Sequence, residues 1–330
     1  MTDPMPCVQW LISPGLPRGG TSYLFSSLAD AANRPFIQAS REKEVHWLER
    51  GSPELLENMY GPHRAGAYYL DFSPGYSRLD GKLKEKAAHL PRDGSVKFII
   101  SLRHPVDQAY SHYLHDLKGH VSKGERANFY YPFFGQAAVS TYFVDRTPLF
   151  RYLKSDFGTE NVLFLNFHTM FDQAAATAAR IAAFLSVPQL KMLSDVVNGA
   201  GWMPRFVYGG QNGTIIEHGG ALLSIKPQSL ILLNGPLSEV RRDVPEHVAL
   251  AALAGAQSWQ ARLSPKLVRL LETQVFAAAI EGYSALLGED IAAYAPTRLI
   301  AGPAPIPPAI AEALVLDPPI EQRVGMAQKA

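Results

Sequence analysis

The run from Val96 to Leu102 (VKFIISL) is the feature that most constrains the fold of this chain. It is an almost continuous series of aliphatic, β-branched and aromatic residues, which is typical of a strand that is covered on both faces. Such strands occur in parallel sheets, because the helical crossovers between parallel strands pass over both faces of the sheet. A second run of this type, Val162 to Asn166, predicts another buried strand.

Shorter strand and helix patterns alternate along the chain. Strands are predicted at Val8–Ile12 and Tyr68–Phe72, with a short extended piece within 35–39. Apolar residues at helical spacing predict helices over 22–31, 106–117, 173–185 and 264–287, and Gly288 ends the last of them. This alternation predicts the α/β class, with a doubly wound central parallel sheet that is flanked by helices.

The length of 330 residues is long for one domain and short for two. We therefore predict a single domain over residues 1–300. Residues 301–330 are rich in Pro and Ala and are predicted to form an arm or a disordered tail. The glycine-rich stretch 199–220 is predicted to be a loop.

Composition excludes several classes of function. Lys and Arg number 31 against 30 Asp and Glu, a net charge of +1 that argues against nucleic-acid or membrane-surface binding. The single cysteine, Cys7, rules out an intrachain disulfide. Because no signal peptide and no apolar run of about 18 residues is evident, we expect a cytoplasmic protein without a membrane span.

A glycine-containing turn from Gly15 to Ser22 (GLPRGGTS), the glycine loop, joins the first predicted strand to the first predicted helix. Such a turn exposes backbone N–H groups at a helix N-terminus and so forms an anion site. The spacing fits the Walker A pattern, but Thr21 stands where that pattern requires lysine. This substitution argues against ATP or GTP hydrolysis.

A second basic motif follows the buried strand that opened this section. Arg103 comes directly after Leu102, and Ser111 follows eight residues later on the next predicted helix. A guanidinium group can form charge-assisted hydrogen bonds with anionic groups, and a serine hydroxyl can donate a hydrogen bond.

Both motifs resemble those of sulfotransferases that use 3′-phosphoadenosine 5′-phosphosulfate (PAPS). Residues 17–24 (PRGGTSYL) fit the family's 5′-phosphosulfate loop, and residues 103–113 (RHPVDQAYSHY) fit its 3′-phosphate motif. Residues 158–166 and 184–188 are similar to weaker family patterns, and residues 198–205 loosely resemble a late loop over the nucleotide. The resemblance implies a P-loop-like sulfotransferase fold, PAPS as co-substrate without a metal, and donor contacts from Arg18, Gly19, Gly20, Thr21, Ser22, Arg103, Ser111 and Arg205.

The segment Lys43 to Trp47 (KEVHW) resembles the part of heparan sulfate O-sulfotransferases that carries a glutamate base. The resemblance implies Glu44 as the general base, with His46 as the alternative because cytosolic sulfotransferases use histidine. The glycan enzymes also carry a catalytic lysine after their third strand, where this chain has Phe72. Lys43 or Arg18 would then have to supply that positive charge, with Arg18 facing the leaving group.

The acceptor is left open by these motifs. Aromatic and histidine residues near the predicted site suit a sugar, a phenol or a lipid-like alcohol, and an amine is also possible chemistry. They are Trp47, Tyr68, Tyr76, His112, His115 and the run 129–134. Two other functions stay open: a P-loop-like nucleotide kinase or NTPase, and a protein of sulfotransferase fold that binds a nucleotide or partner without catalysis.

Overall fold

The computed structural model describes residues 8–78, 80–122, 141–194, 205–208, 214–218, 221–225, 230–233, 258–260 and 265–294. Contacts between Cα atoms divide the chain into two compact units. The first unit comprises residues 1–104, 145–198 and 278–294, and the second comprises 105–144, 199–277 and 295–330. The predicted single domain over 1–300 stays a prediction, and the arm at 301–330 lies outside the described residues.

A five-stranded parallel sheet forms the centre of the first unit. Its strands lie in the order β2-β3-β1-β4-β5. The pairing places Trp10 beside Tyr69 on one side and Val96 on the other, and Phe98 beside Val162. The predicted α/β class with a central parallel sheet is therefore confirmed. The strand bounds are β1 Gln9–Ile12, β2 Ile37–Gln38, β3 Tyr68–Asp71, β4 Val96–Leu102 and β5 Val162–Asn166.

Helices cover both faces of this sheet. In chain order they are α1 Thr21–Leu28, α2 Trp47–Arg50, α3 Pro53–Tyr60, α4 Asp80–Ala87, α6 Thr147–Phe157 and α7 Ala174–Leu185. Helix α5, Pro105–Ser122, belongs to the second unit. Ser52 caps α3 by accepting a hydrogen bond from the Leu55 N–H, and Pro53 occupies its first turn, where a missing N–H costs nothing.

Two hydrophobic clusters correspond to the two faces, because successive side chains of a strand point to opposite sides. Ile12, Tyr69 and Phe98 pack with α3, α4, α6 and the segment 278–294. Leu11, Leu70 and Ile99 pack on the opposite face with α1 and α7. Burial on both faces explains why five of the seven residues of β4 are apolar, with Lys97 and Ser101 as the exceptions.

The second unit contains antiparallel sheets. Three strands, β6 Arg205–Tyr208, β9 Leu230–Leu233 and β10 Ser258–Gln260, form one sheet in the order β10-β6-β9. β7 Thr214–His218 and β8 Ala221–Ile225 form a separate pair. The prediction of a loop over 199–220 is therefore wrong for β6 and β7, whose backbones pair with strands from beyond that stretch.

The predicted helix over 264–287 is interrupted. It consists of α8 Pro265–Leu270, a π-helical turn Leu271–Val275 and α9 Ala277–Leu287, and it ends before Gly288 as predicted. Among the described residues, no helix is long and apolar enough to cross a membrane.

The strand order fixes where a ligand would bind to the first unit. The chain moves from β1 to one side of the sheet for β2 and β3, and then to the other side for β4 and β5. Neighbouring parallel strands whose connections leave in opposite directions open a crevice at their carboxyl ends, where open α/β sheets bind ligands. The glycine loop follows β1 and Arg103 follows β4, so both lie at this edge.

Candidate active site

The glycine loop is built around close backbone approaches. Gly20 has φ +86°, and a Cβ placed on it would lie 2.2 Å from the Met170 Cε atom. A Cβ on Gly19 would lie 2.9 Å from the Leu16 carbonyl oxygen and 3.0 Å from that of Ser101. Both positions therefore require glycine, the first for its left-handed backbone and the second for its contact with β4.

The loop leads directly into the N-terminus of α1. Gly20 is the N-cap residue, and no side chain caps this end of the eight-residue helix. No acidic residue lies in the first turn, which begins with Thr21 and Ser22. The first N–H groups of a helix lack intrahelical acceptors and carry a partial positive charge, so this end is suited to an anion such as a phosphate or sulfate group.

Arg103 meets the loop from the end of β4. Its side chain is buried, and one guanidinium nitrogen, Nη1, donates a 2.7 Å hydrogen bond to the carbonyl oxygen of Arg18. The Arg18 backbone itself has a left-handed φ of 63°. The structure thus brings together two motifs that are 85 residues apart in the chain.

Residues at the end of β5 hold Arg103 and the turn that follows it. The Phe167 ring lies 4.4 Å below the guanidinium carbon of Arg103, a cation–π arrangement. The His168 Nε2 atom accepts a 3.0 Å hydrogen bond from the His104 N–H, and the Asn166 carboxamide oxygen accepts one from the His168 N–H. Sequence patterns did not identify Phe167 or His168, because their importance depends on the pairing of β4 with β5.

The segment of residues 43–48, the base segment, approaches the glycine loop from a third direction. The Lys43 Nζ atom lies 3.3 Å from the Thr21 Oγ1 atom and 2.8 Å from the Glu44 Oε1 atom. The Lys43 side chain is 22% exposed and that of Glu44 is 45% exposed. The ammonium group therefore links the first turn of α1 to a carboxylate that incoming molecules can reach.

His46 lies between two carboxylates. Its Nε2 atom is 3.9 Å from Glu44 Oε2, and its Nδ1 atom is 3.7 Å from Glu49 Oε2. The backbone of His46 is left-handed, with φ 55°, which is uncommon for a residue with a side chain. The two candidates for the base are thus neighbours.

Phe72 does not face this group of polar residues. Its side chain is fully buried in the hydrophobic cluster on the α1 face, with its ring centroid 5.8 Å from that of Phe25. The missing lysine of the glycan enzymes is therefore replaced by a core residue. Of the two substitutes that we predicted from the sequence, Lys43 has its ammonium group beside both Thr21 and Glu44.

The remaining predicted residues lie elsewhere. Ser111 is a partly exposed residue of α5, in the second unit. Arg205 is the first residue of β6, where it pairs with Leu233 and Gln260, and its side chain lies outside the described part of the structure. The structure therefore tests neither donor contact, and both stay predictions.

The aromatic residues that we expected to line an acceptor pocket are largely buried. Tyr68, Tyr76 and His112 are each at most 5% exposed, so they do not form an open surface. Trp47 is partly exposed and stacks on Trp10 at a centroid distance of 4.7 Å. His115 is exposed, and residues 129–134 lie outside the described residues.

A separate groove of about 640 Å³ runs between α7 and residues 187–194. Its wall is formed largely by alanines of α7, together with Val187, Leu190 and Met192. None of the predicted site residues lines it. Because Lys191 is the single charged residue of its lining, we place the candidate site at the glycine loop and not in this groove.

Likenesses to known proteins come from solved structures alone. No protein-family model matches the sequence, and neither does any curated protein. Among solved structures, a sulfotransferase from Alicyclobacillus acidocaldarius is 19% identical with a TM-score of 0.47, over 87% of this chain and 98% of that one.

Two further solved structures cover less of the chain. The sulfotransferase domain of the Synechococcus PCC 7002 olefin synthase is 16% identical with a TM-score of 0.37, over 55% of this chain and 73% of that one. Mouse sulfotransferase SULT7A1, complexed with PAP, is 21% identical with a TM-score of 0.35, over 58% and 59%. With TM-scores of 0.47 or less, these likenesses carry no argument about function.

The burial of Phe72 leads to a prediction about stability. We expect Phe72→Lys to lower the free energy of unfolding by about 3–5 kcal/mol, because it places an unpaired ammonium group in an apolar cluster. Phe72→Leu, the matched control, should cost only about 1 kcal/mol because it keeps an apolar side chain. Urea denaturation measures both. A Lys variant as stable as the Leu variant would show that this side chain reaches solvent or the site.

Proposed function

We propose that this chain is a sulfotransferase that moves a sulfuryl group from PAPS to a hydroxyl or amine acceptor. The observation that carries the proposal is the contact between Arg103 and the glycine loop. A nucleoside triphosphate needs one phosphate site, whereas PAPS has a phosphosulfate at its 5′ end and a separate phosphate at its 3′ position. The two motifs that would bind these two groups lie next to each other at the carboxyl ends of β1 and β4.

The glycine loop would hold the 5′ phosphosulfate. Gly19 and Gly20 let the backbone lie against β4 and turn into α1, so that the N–H groups of the first turn point toward the ligand. Thr21 and Ser22 add hydroxyl groups at the same end. Arg18 is the residue that we assign to the charge of the leaving phosphate, in accordance with the family pattern.

Arg103 would bind the 3′-phosphate. Its guanidinium has five N–H donors, and the hydrogen bond to the Arg18 carbonyl uses one of them while fixing the orientation of the group. The stacked Phe167 ring restricts the guanidinium further. Ser111 and Arg205 are assigned to the same phosphate on the sequence patterns alone.

Glu44 would act as the general base. The acceptor O–H or N–H attacks sulfur, its proton passes to the Glu44 carboxylate, and the bond between sulfur and the bridging phosphate oxygen breaks. The products are the sulfated acceptor and adenosine 3′,5′-bisphosphate (PAP). Lys43 lies between Glu44 and Thr21, where its charge would stabilise the oxygens of the transferring group. His46 is the alternative base, since its ring is next to the same carboxylate.

The acceptor class that we propose is a small hydroxyl or amine compound, such as a carbohydrate or a phenol. The exposed fraction of the Glu44 side chain, 45%, means that an acceptor can approach the base from solvent. The near-neutral net charge offers no general attraction for an extended polyanionic glycan.

The effect of ligands on the melting temperature distinguishes a site for the proposed donor from a site for a nucleoside triphosphate. We expect PAP to raise the melting temperature and ATP with Mg²⁺ to leave it unchanged. At about 100 times its dissociation constant, a ligand stabilises the folded state by roughly 2.7 kcal/mol, a shift that differential scanning fluorimetry resolves. Stabilisation by ATP–Mg²⁺ alone would favour the kinase or NTPase alternative and contradict the proposal.

Removal of the Arg103 guanidinium should affect the 3′-phosphate selectively. We expect Arg103→Ala to weaken PAP binding by about 10- to 100-fold, the loss of a charge-assisted pair, as measured by calorimetry. Binding of adenosine 5′-phosphosulfate, which has no 3′-phosphate, should stay within about twofold. Arg92→Ala, which removes an arginine paired with Asp156, is the matched control and should change neither. Equal weakening of both ligands would mean that Arg103 only supports the loop.

Replacement of the proposed base should separate turnover from binding. We expect Glu44→Gln to bind PAP normally and to form PAP from PAPS at least about 10²-fold more slowly, with a panel of phenol, carbohydrate and amine acceptors. Glu49→Gln is the matched control, because it removes a second carboxylate that contacts His46. Wild-type turnover in Glu44→Gln, together with loss in His46→Gln, would transfer the role of base to His46.

A further inference from the structure

Three consecutive backbone N–H groups of the base segment are bound by side chains from the end of β3. The His46 N–H donates to the Ser73 hydroxyl at 3.1 Å, the Trp47 N–H to the Asp71 carboxylate at 3.0 Å, and the Leu48 N–H to the Tyr76 hydroxyl at 2.9 Å. We refer to Asp71, Ser73 and Tyr76 as the Asp71 cluster. Sequence patterns identified none of the three as a site residue with this role.

The carboxylate of Asp71 organises the other two members. The Ser73 hydroxyl donates to its Oδ1 atom and the Tyr76 hydroxyl to its Oδ2 atom, each at 2.5 Å. A hydroxyl has one proton and two lone pairs, so a hydroxyl that donates to Asp71 has its lone pairs available for a backbone N–H. Asp71 therefore acts on the base segment once directly and twice through a hydroxyl.

The cluster lies where water cannot replace it. Asp71 and Ser73 are fully buried and Tyr76 is 1% exposed. Burial raises the pKa of the Asp71 carboxyl, against the hydrogen bonds of Ser73, Tyr76 and Trp47, which lower it. Burial, together with the neighbouring Asp71 charge, also raises the pKa of Tyr76, so its hydroxyl keeps its proton and donates. Within the described residues Asp71 forms no salt bridge, and its hydrogen-bonding groups are two hydroxyls and one N–H.

The base segment needs such support, because it has little of its own. Helix α2 has four residues, far fewer than an isolated helix requires to be stable. Its N-cap, His46, has a left-handed backbone, and its side chain forms no capping hydrogen bond. The Asp71 cluster supplies the missing cap from another part of the chain and places a carboxylate at the positive end of the helix.

The other end of the base segment is attached to the same strand end. The Phe72 N–H donates to the Lys43 carbonyl oxygen at 3.2 Å. Glu44 thus lies between one attachment at residue 43 and three at residues 46–48. A carboxylate that must accept a proton from an attacking group depends on such fixation, since small displacements of a base reduce the rate strongly.

We propose that Asp71 is a positioning residue for the base of the transfer reaction, acting on the base segment through Ser73 and Tyr76 as well as directly. The inference rests on the function proposed above. Asp71 is fully buried, so we assign it no direct contact with the donor or the acceptor. Its contribution should therefore appear in the rate of transfer and not in the affinity for the nucleotide.

The test compares two buried tyrosines that differ in what their hydroxyls contact. Tyr76→Phe removes one member of the cluster. Tyr60→Phe is the matched control, because Tyr60 is also buried in the same hydrophobic cluster but donates to the Leu70 carbonyl oxygen at 2.7 Å. Melting temperatures identify folded variants, and amide hydrogen exchange at residues 46–48 reports the cap itself. PAP formed from PAPS with the acceptor panel gives kcat and the KM for the donor.

We expect Tyr76→Phe to speed exchange of the Leu48 amide and to lower kcat about tenfold, while the donor KM and the Kd of PAP stay within about twofold. Tyr60→Phe should change none of these quantities. A second pair of variants uses the other hydroxyl: Ser73→Ala should lower kcat in the same way, and Ser73→Thr, which keeps a hydroxyl, should restore most of it.

Four results would overturn the inference. Faster Leu48 exchange with an unchanged kcat would show that the cluster only stabilises the fold. Equal losses in Tyr76→Phe and Tyr60→Phe, or a parallel loss of PAP affinity, would show a general effect of buried hydroxyls. If the wild-type protein neither binds PAP nor forms it from PAPS, the proposed function is wrong and this inference fails with it. The wild-type measurement alone distinguishes that failure from a failure of the positioning role.

Discussion

The position of β1 between β3 and β4 determines the rest of the candidate site. Parallel strands end at one edge, so the glycine loop, the Asp71 cluster and Arg103 emerge side by side although they are far apart in the chain. The loop is pressed against both neighbours. A Cβ on Gly15 would lie 2.4 Å from the Ser77 hydroxyl, and one on Gly19 would lie 3.0 Å from the Ser101 carbonyl oxygen. Close packing on both sides leaves the loop a single way to enter α1.

A chain with a net charge of +1 can still build an anion site from a few well-held cations. Arg103 is fixed by a carbonyl oxygen and an aromatic ring, and Lys43 by Thr21 and Glu44. These contacts hold Arg103 against the glycine loop and Lys43 beside the first turn of α1, whose N–H groups add their own positive potential. Two cations are thus placed locally at the candidate site in a chain whose overall charge is close to neutral.

The sequence predicted the elements with the strongest local signal. β4 and β5 have the predicted bounds, because a short apolar run rich in β-branched and aromatic residues favours a buried strand over a helix. The prediction of a loop over residues 199–220 failed because we took the glycines of this stretch as evidence for a loop. The antiparallel strands β7 and β8, in which His218 pairs with Ala221, are separated in the sequence by Gly219 and Gly220, and Gly-Gly between two strand patterns is a hairpin signal. Composition over a window cannot distinguish glycines at turns from glycines throughout a loop.

Residues of the candidate site could be predicted from the sequence where they belong to short motifs of neighbouring residues. The glycine loop, Arg103 and Glu44 were identified from local patterns, whereas Asp71 acts on residues 46–48, more than 20 positions away. The alternation of side-chain direction along β3 explains why Asp71 and Phe72 have different surroundings. Asp71 shares the face of Tyr69 and reaches the base segment, and Phe72 shares the face of Leu70 and enters the core. Successive side chains of an extended segment point to opposite sides, so a lysine at position 72 would face the core, whereas the cation beside Thr21 is that of Lys43.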